Sequence, residues 1–115
     1  MTNYLTTTSI LLEATQVGAG IKLGPKSNAL MAKELKVSST PAPDFTNDDG
    51  LTVACLEERG CIPYVKQAPR NKFICLFDID GEIYVTKPCK EEAEALAHAL
   101  YFLLITNKSV VTIQE

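Results

Sequence analysis

The feature that most narrows the fold of this chain is one pair of residues, Asp80-Gly81, set between two apolar runs, "KFICLFDI" and "EIYVTK". Two-residue hairpin loops of type I′ need positive φ at both central positions, and Asp-Gly meets that need at little steric cost. With this turn, Ile79 opposes Glu82, Asp78 opposes Ile83, Phe77 opposes Tyr84 and Leu76 opposes Val85. Directly opposed residues share a face. One face then carries Phe73, Cys75, Phe77 and Tyr84, and the other Ile74, Leu76, Ile83 and Val85. A hairpin apolar on both faces needs both covered. One helix covers one of them, so the other must meet a second helix from the N-terminal half or another subunit.

The stretch "ICLFDIDGEIYV" also resembles the opening motif of the haloacid dehalogenase phosphatases, an apolar strand running into Asp-x-Asp-Gly. The resemblance implies a small hydrolase or transferase with Asp78 as nucleophile and Asp80 as general acid/base. In that family the nucleophilic strand begins the domain, and later motifs bring a Lys and further acids that hold magnesium. Here the motif arrives at residue 78, no Asp follows Asp80, and Glu82 stands where the family usually has Thr or Val. The hairpin turn accounts for more of these residues than the phosphatase does.

After the hairpin, "PCKEEAEALAHALYFLLITNK" opens with a proline and places Glu91, Glu92 and Glu94 near a helix N-terminus, where the macrodipole favours acids. Cys89, Ala93, Leu96, Leu100, Leu103 and Leu104 form an apolar stripe that predicts packing on the hairpin. A second stripe, Tyr101, Phe102 and Ile105 with His98 at its margin, appears only in the last turns. That pattern predicts a central helix or a subunit interface, and the clustered aromatic residues favour the interface. His98 is the only histidine; Cys89 precedes it by nine residues, about 13 Å along a shared helix axis. No Cys-His pair is therefore expected, and His98 is expected to be a half-buried structural or interface residue. "SVVTIQE" predicts a closing strand.

The N-terminal half is less regular. The β-branched run "LTTTSILLEATQV" predicts a strand or strand pair, and "SNALMAKELKV" a short helix capped by Ser27 or Asn28. Residues 37–50, "VSSTPAPDFTNDDG", predict a long exposed loop. "GLTVACLEER" predicts a helix capped by Asn47, Asp48 or Asp49 and ended by Gly60, with a strand through "LTVACL" almost as good. "CIPYVKQ" reads as a short strand whose Pro63 favours a sheet edge.

"VGAGIKLGPKS" invites nucleotide binding but fails both of its motifs. The third glycine of a dinucleotide fingerprint comes one position late, at Gly24, and Pro25 separates Gly24 from Lys26 where a phosphate loop needs Gly-Lys contiguous. A looser anion site survives: backbone amides near Gly18 and Gly20 with Lys22 and Lys26, extended by Lys33 and Lys36. Nucleotide or nucleic-acid binding through this segment is the alternative function, weakened by the absence there of aromatic side chains to stack on bases.

Composition sets the outer bounds. At 115 residues, 46% hydrophobic and 22% charged, the chain matches one ordinary domain. A net charge of −3 disfavours general nucleic-acid binding. Neither a bilayer-spanning apolar run nor a cleavable leader is visible, which predicts a soluble cytoplasmic protein. Cys55, Cys61, Cys75 and Cys89 fit neither paired zinc knuckles nor a secreted disulfide framework and read as buried reduced thiols.

Together these features predict a single α+β domain over residues 1–115: a mostly antiparallel sheet of four to six strands, two or three helices, and a long C-terminal helix packed on the hairpin. The function expected is that of a non-enzymatic, homo-oligomeric binding protein acting on a partner protein or a small ligand, an anionic one included. No metal or cofactor is expected.

Overall fold

The computed structural model of the chain describes residues 14–37 and 42–106. In order these form β1 (Thr15–Val17), α1 (Pro25–Leu35), α2 (Asp49–Glu58), β2 (Tyr64–Ala68), β3 (Lys72–Ile79), β4 (Glu82–Thr86) and α3 (Glu92–Tyr101), with a 3-10 turn at Pro69–Asn71 and a π-helical turn at Phe102–Thr106. The fold is the expected α+β class; the described residues form three helices and a four-stranded sheet in the order β1-β4-β3-β2. Strands β2, β3 and β4 form an antiparallel meander, and β1 joins β4 in parallel.

The hairpin forms in the register its turn dictates. Asp80 and Gly81 have φ of 52° and 86°, Asp78 accepts a hydrogen bond from the Gly81 amide at 3.2 Å, and all four opposed pairs from Ile79–Glu82 to Leu76–Val85 are in place. Pro63 precedes β2, which is an edge strand as expected.

Cys75 and Phe77 belong to the hydrophobic core, and the partly buried Phe73 and Tyr84 pack against it. Helix α3 packs on this face against β2, β3 and β4, and α1 and α2 pack against α3. Its residues Ala95 to Leu100 are all buried, so the middle of α3 is a central helix. Leu76 and Val85, on the opposite face of the sheet, are buried but lie outside that core.

Helix ends follow local chemistry. At α2 the Asp48 side chain accepts from the Leu51 amide at 3.0 Å; at its other end Gly60 donates to Glu57 and Cys61 to Leu56, a Schellman closure. At α1 the expected Ser27 or Asn28 cap gives way to an earlier start. Gly24 caps, Pro25 takes the first helical position that suits its fixed φ, and the Ser27 hydroxyl reaches back to the Gly24 amide at 2.8 Å. Asn28 is thereby free for tertiary work: it accepts from the Phe45 amide at 3.3 Å and donates to Asp44 at 3.4 Å.

Residues 38–41 of the expected 37–50 loop lie outside the described residues, and within the rest Phe45 and the start of α2 depart from an exposed loop. Phe45 is fully buried, its carbonyl takes the Thr52 hydroxyl at 3.0 Å, and Asp49 and Gly50 already belong to α2. Of the strand expected over "LTTTSILLEATQV", Thr15–Val17 is present as β1; residues 5–13 and the closing "SVVTIQE" strand lie outside the described residues.

Candidate functional site

The site begins with a polar side chain buried without partners. His98 lies on α3, is 2% exposed, and neither ring nitrogen has a hydrogen-bond partner among the described residues. A neutral imidazole carries one donor and one acceptor, and leaving such groups buried and unpaired costs on the order of 1–3 kcal/mol each. Burial, reinforced by the nearby Lys87 and opposed by Glu94, lowers the His98 pKa to about 4, so the ring is neutral at physiological pH.

Gly18 presses on that ring. A Cβ at this position would sit 3.0 Å from His98 Nδ1 and 3.5 Å from the Lys87 side chain, and its φ of 91° belongs to glycine. The turn that follows is clamped by Lys87, whose amide donates to the Val17 carbonyl and whose Nζ donates to the Ile21 carbonyl, both at 2.9 Å. Ile21 N–H closes the turn on the Gly18 carbonyl at 3.0 Å.

Between this turn, β1 and the end of α3 lies a cavity of about 300 Å³. Val17, Gly18, Ile21, Tyr101 and Phe102 give it apolar walls, and Thr15, Gln16, His98 and Thr106 supply polar groups; among the described residues no charged side chain lines it. The π-helical turn supplies Phe102 and Thr106, and such turns are frequent at functional sites. Phe102 also packs on the sheet, its ring centroid 4.7 Å from Tyr84 and 6.0 Å from Phe77.

The cavity joins residues that sequence reasoning kept apart. Gly18 comes from the expected anion segment and His98, Tyr101 and Phe102 from the expected interface stripe. The rest of both sets lies elsewhere. Gly20 is exposed and does not line the cavity. Lys22 and Lys26 flank a separate open groove of about 450 Å³ beside Pro25. Lys33 is in the last turn of α1, and Lys36 sits beyond it with φ of 60°. Ile105 is half-buried in the π turn. Asp78 and Asp80 are exposed at the hairpin tip.

The expected separation of Cys89 from His98 does not hold. Helix α3 starts at Glu92, and Cys89 is held outside it by a two-way backbone bridge to Phe73, at 2.7 and 2.8 Å. This folds Cys89 back toward the helix, and its Sγ, a Glu94 carboxylate oxygen and a His98 ring nitrogen all lie within 4.8 Å of one another. The Glu94-x-x-x-His98 spacing, one helical turn, was the available sequence signal for part of this cluster.

All four cysteines are free and buried, as expected. Burial is the leading cause that raises each thiol, to about 12 for Cys75 and about 11 for Cys89. No helix among the described residues is long and apolar enough to cross a membrane. Comparison with protein-family models, curated proteins and solved structures finds no match to this chain.

Proposed function

We propose that this is a non-enzymatic binding protein whose ligand is a compact, neutral, largely apolar small molecule held between β1, the Gly18–Ile21 turn and the end of α3. The observation that carries this reading is His98, a fully desolvated imidazole with both nitrogens unpartnered at the wall of an otherwise mostly apolar cavity. Such a cavity with a few convergent polar groups is the usual form of a small-ligand site. The lining supplied by the described residues carries no charged side chain, which favours a neutral ligand over an anion. The raised thiols support a binding role over nucleophilic catalysis, since the thiolate is the reactive species.

Self-association in the cytoplasm completes the proposal. Its support is the far face of the sheet, where Ile62 and Tyr64 are 68% and 60% exposed beside Leu76 and Ile83. Native mass spectrometry of gently purified protein tests both parts. A reproducible small-molecule adduct is expected, and it should be lost in Ala19→Trp, which obstructs the cavity from an exposed position without touching the core. A chain that never carries a ligand overturns the binding reading, and a monomeric mass overturns self-association.

A further inference from the structure

We propose that Cys89, Glu94 and His98 form a binding site for one divalent transition-metal ion, with Zn²⁺ the best match. This goes beyond the small-ligand reading and shares only His98 with it, because Cys89 and Glu94 do not line the cavity.

The three donor atoms already lie within 4.8 Å of one another. Ligand atoms around tetrahedral zinc are about 3.5 Å apart, as follows from its bond lengths, so modest side-chain rotation closes the set. Two elements pre-organise it. Glu94 and His98 project one turn apart on α3, and the bridge to Phe73 fixes the Cys89 backbone at 2.7 and 2.8 Å. The unpartnered nitrogens of His98, 2% exposed, are the independent sign that this cluster has a missing partner.

The chemistry of the set selects the metal. A thiolate, an imidazole and a carboxylate suit zinc or a neighbouring first-row ion, whereas calcium and magnesium want oxygen alone. A thiolate and a carboxylate carry two negative charges, which a dication neutralises. Lys87 and Lys72 are the cations that act on Cys89, and the Nζ of Lys87 is held by the Ile21 carbonyl at 2.9 Å. Binding forms a metal–sulfur bond and breaks the S–H bond, and the Cys89 proton leaves to solvent. Three protein ligands leave the fourth position to water or an external donor.

The test uses the full chain, reduced and stripped of metal, titrated with Zn²⁺ by calorimetry and with Co²⁺ by absorption. One ion per chain is expected, with a thiolate-to-cobalt charge-transfer band that Cys89→Ser abolishes and Cys55→Ser retains. Glu94→Gln, at a half-buried position, should keep the far-UV circular dichroism of the parent and weaken Zn²⁺ binding at least about tenfold. Failure to bind either ion, a charge-transfer band that survives Cys89→Ser, or Zn²⁺ affinity untouched in folded Glu94→Gln would each overturn the site.

Discussion

His98 ties stability to pH in a direction that can be worked out. Its pKa falls from 6.5 when unfolded to about 4 when folded, first because burial disfavours the charged ring, then because of Lys87, with Glu94 opposing. As pH drops below the unfolded value, the unfolded chain takes up a proton that the native ring refuses. The stabilising contribution is therefore complete above pH 6.5 and is lost as pH falls toward 4. For the metal-free chain the loss reaches about 2–3 kcal/mol, read as a falling urea midpoint between about pH 7.5 and about pH 4. Because the chain has one histidine, its ring NMR signals report the site directly. They should stay unshifted down to about pH 5.5; a ring that titrates normally, near 6.5, is solvated and ends the argument for an orphaned imidazole.

Among the elements, the end of α3 and the hairpin depend on each other. Phe102 meets Tyr84 and Phe77, which themselves stack at 5.6 Å. Phe102→Ala should cost about 2–4 kcal/mol of folding stability by chemical denaturation. A variant that unfolds like the parent but changes native mass would instead make this ring an intersubunit contact. Element identity was largely legible beforehand, because it rests on local signals: Asp80-Gly81 dictated the hairpin and its register, and Pro63 the edge position of β2, whereas Asn47, Asp48 and Asp49 marked the start of α2 without choosing among themselves or ruling out a strand through "LTVACL". What escaped the sequence depends on partners distant along the chain. Cys89 is kept off α3 by Phe73, and Phe45 is drawn inward from a Pro- and Asp-rich stretch by Asn28 and Thr52. Composition describes a segment's average, whereas burial follows from the particular groups waiting for one residue. The candidate site was half legible for the same reason. Its members were singled out as a glycine turn and an aromatic stripe, but their meeting depends on how β1 enters the sheet.

For the molecule as a whole, that entry makes β1 different in kind from the other strands. β2, β3 and β4 are neighbours along the chain and pair by short connections, whereas β1 pairs in parallel with β4 and its following turn is held by a Lys87–Ile21 bond that spans 66 positions. Contacts between distant segments bear the loop-closure cost before they return any stabilisation. The meander and α3 should therefore assemble first and β1 dock last. In pulse-labelled hydrogen exchange during refolding, amides of β3 and β4 that bond within the hairpin should gain protection before Ile21 and Lys87; simultaneous protection would contradict this order. Because β1 and its turn form one wall of the His98 cavity, the ligand proposed above would find its site only after the last step of such a folding order. It would then act on the docking equilibrium of β1 itself, holding the strand in place once it arrives.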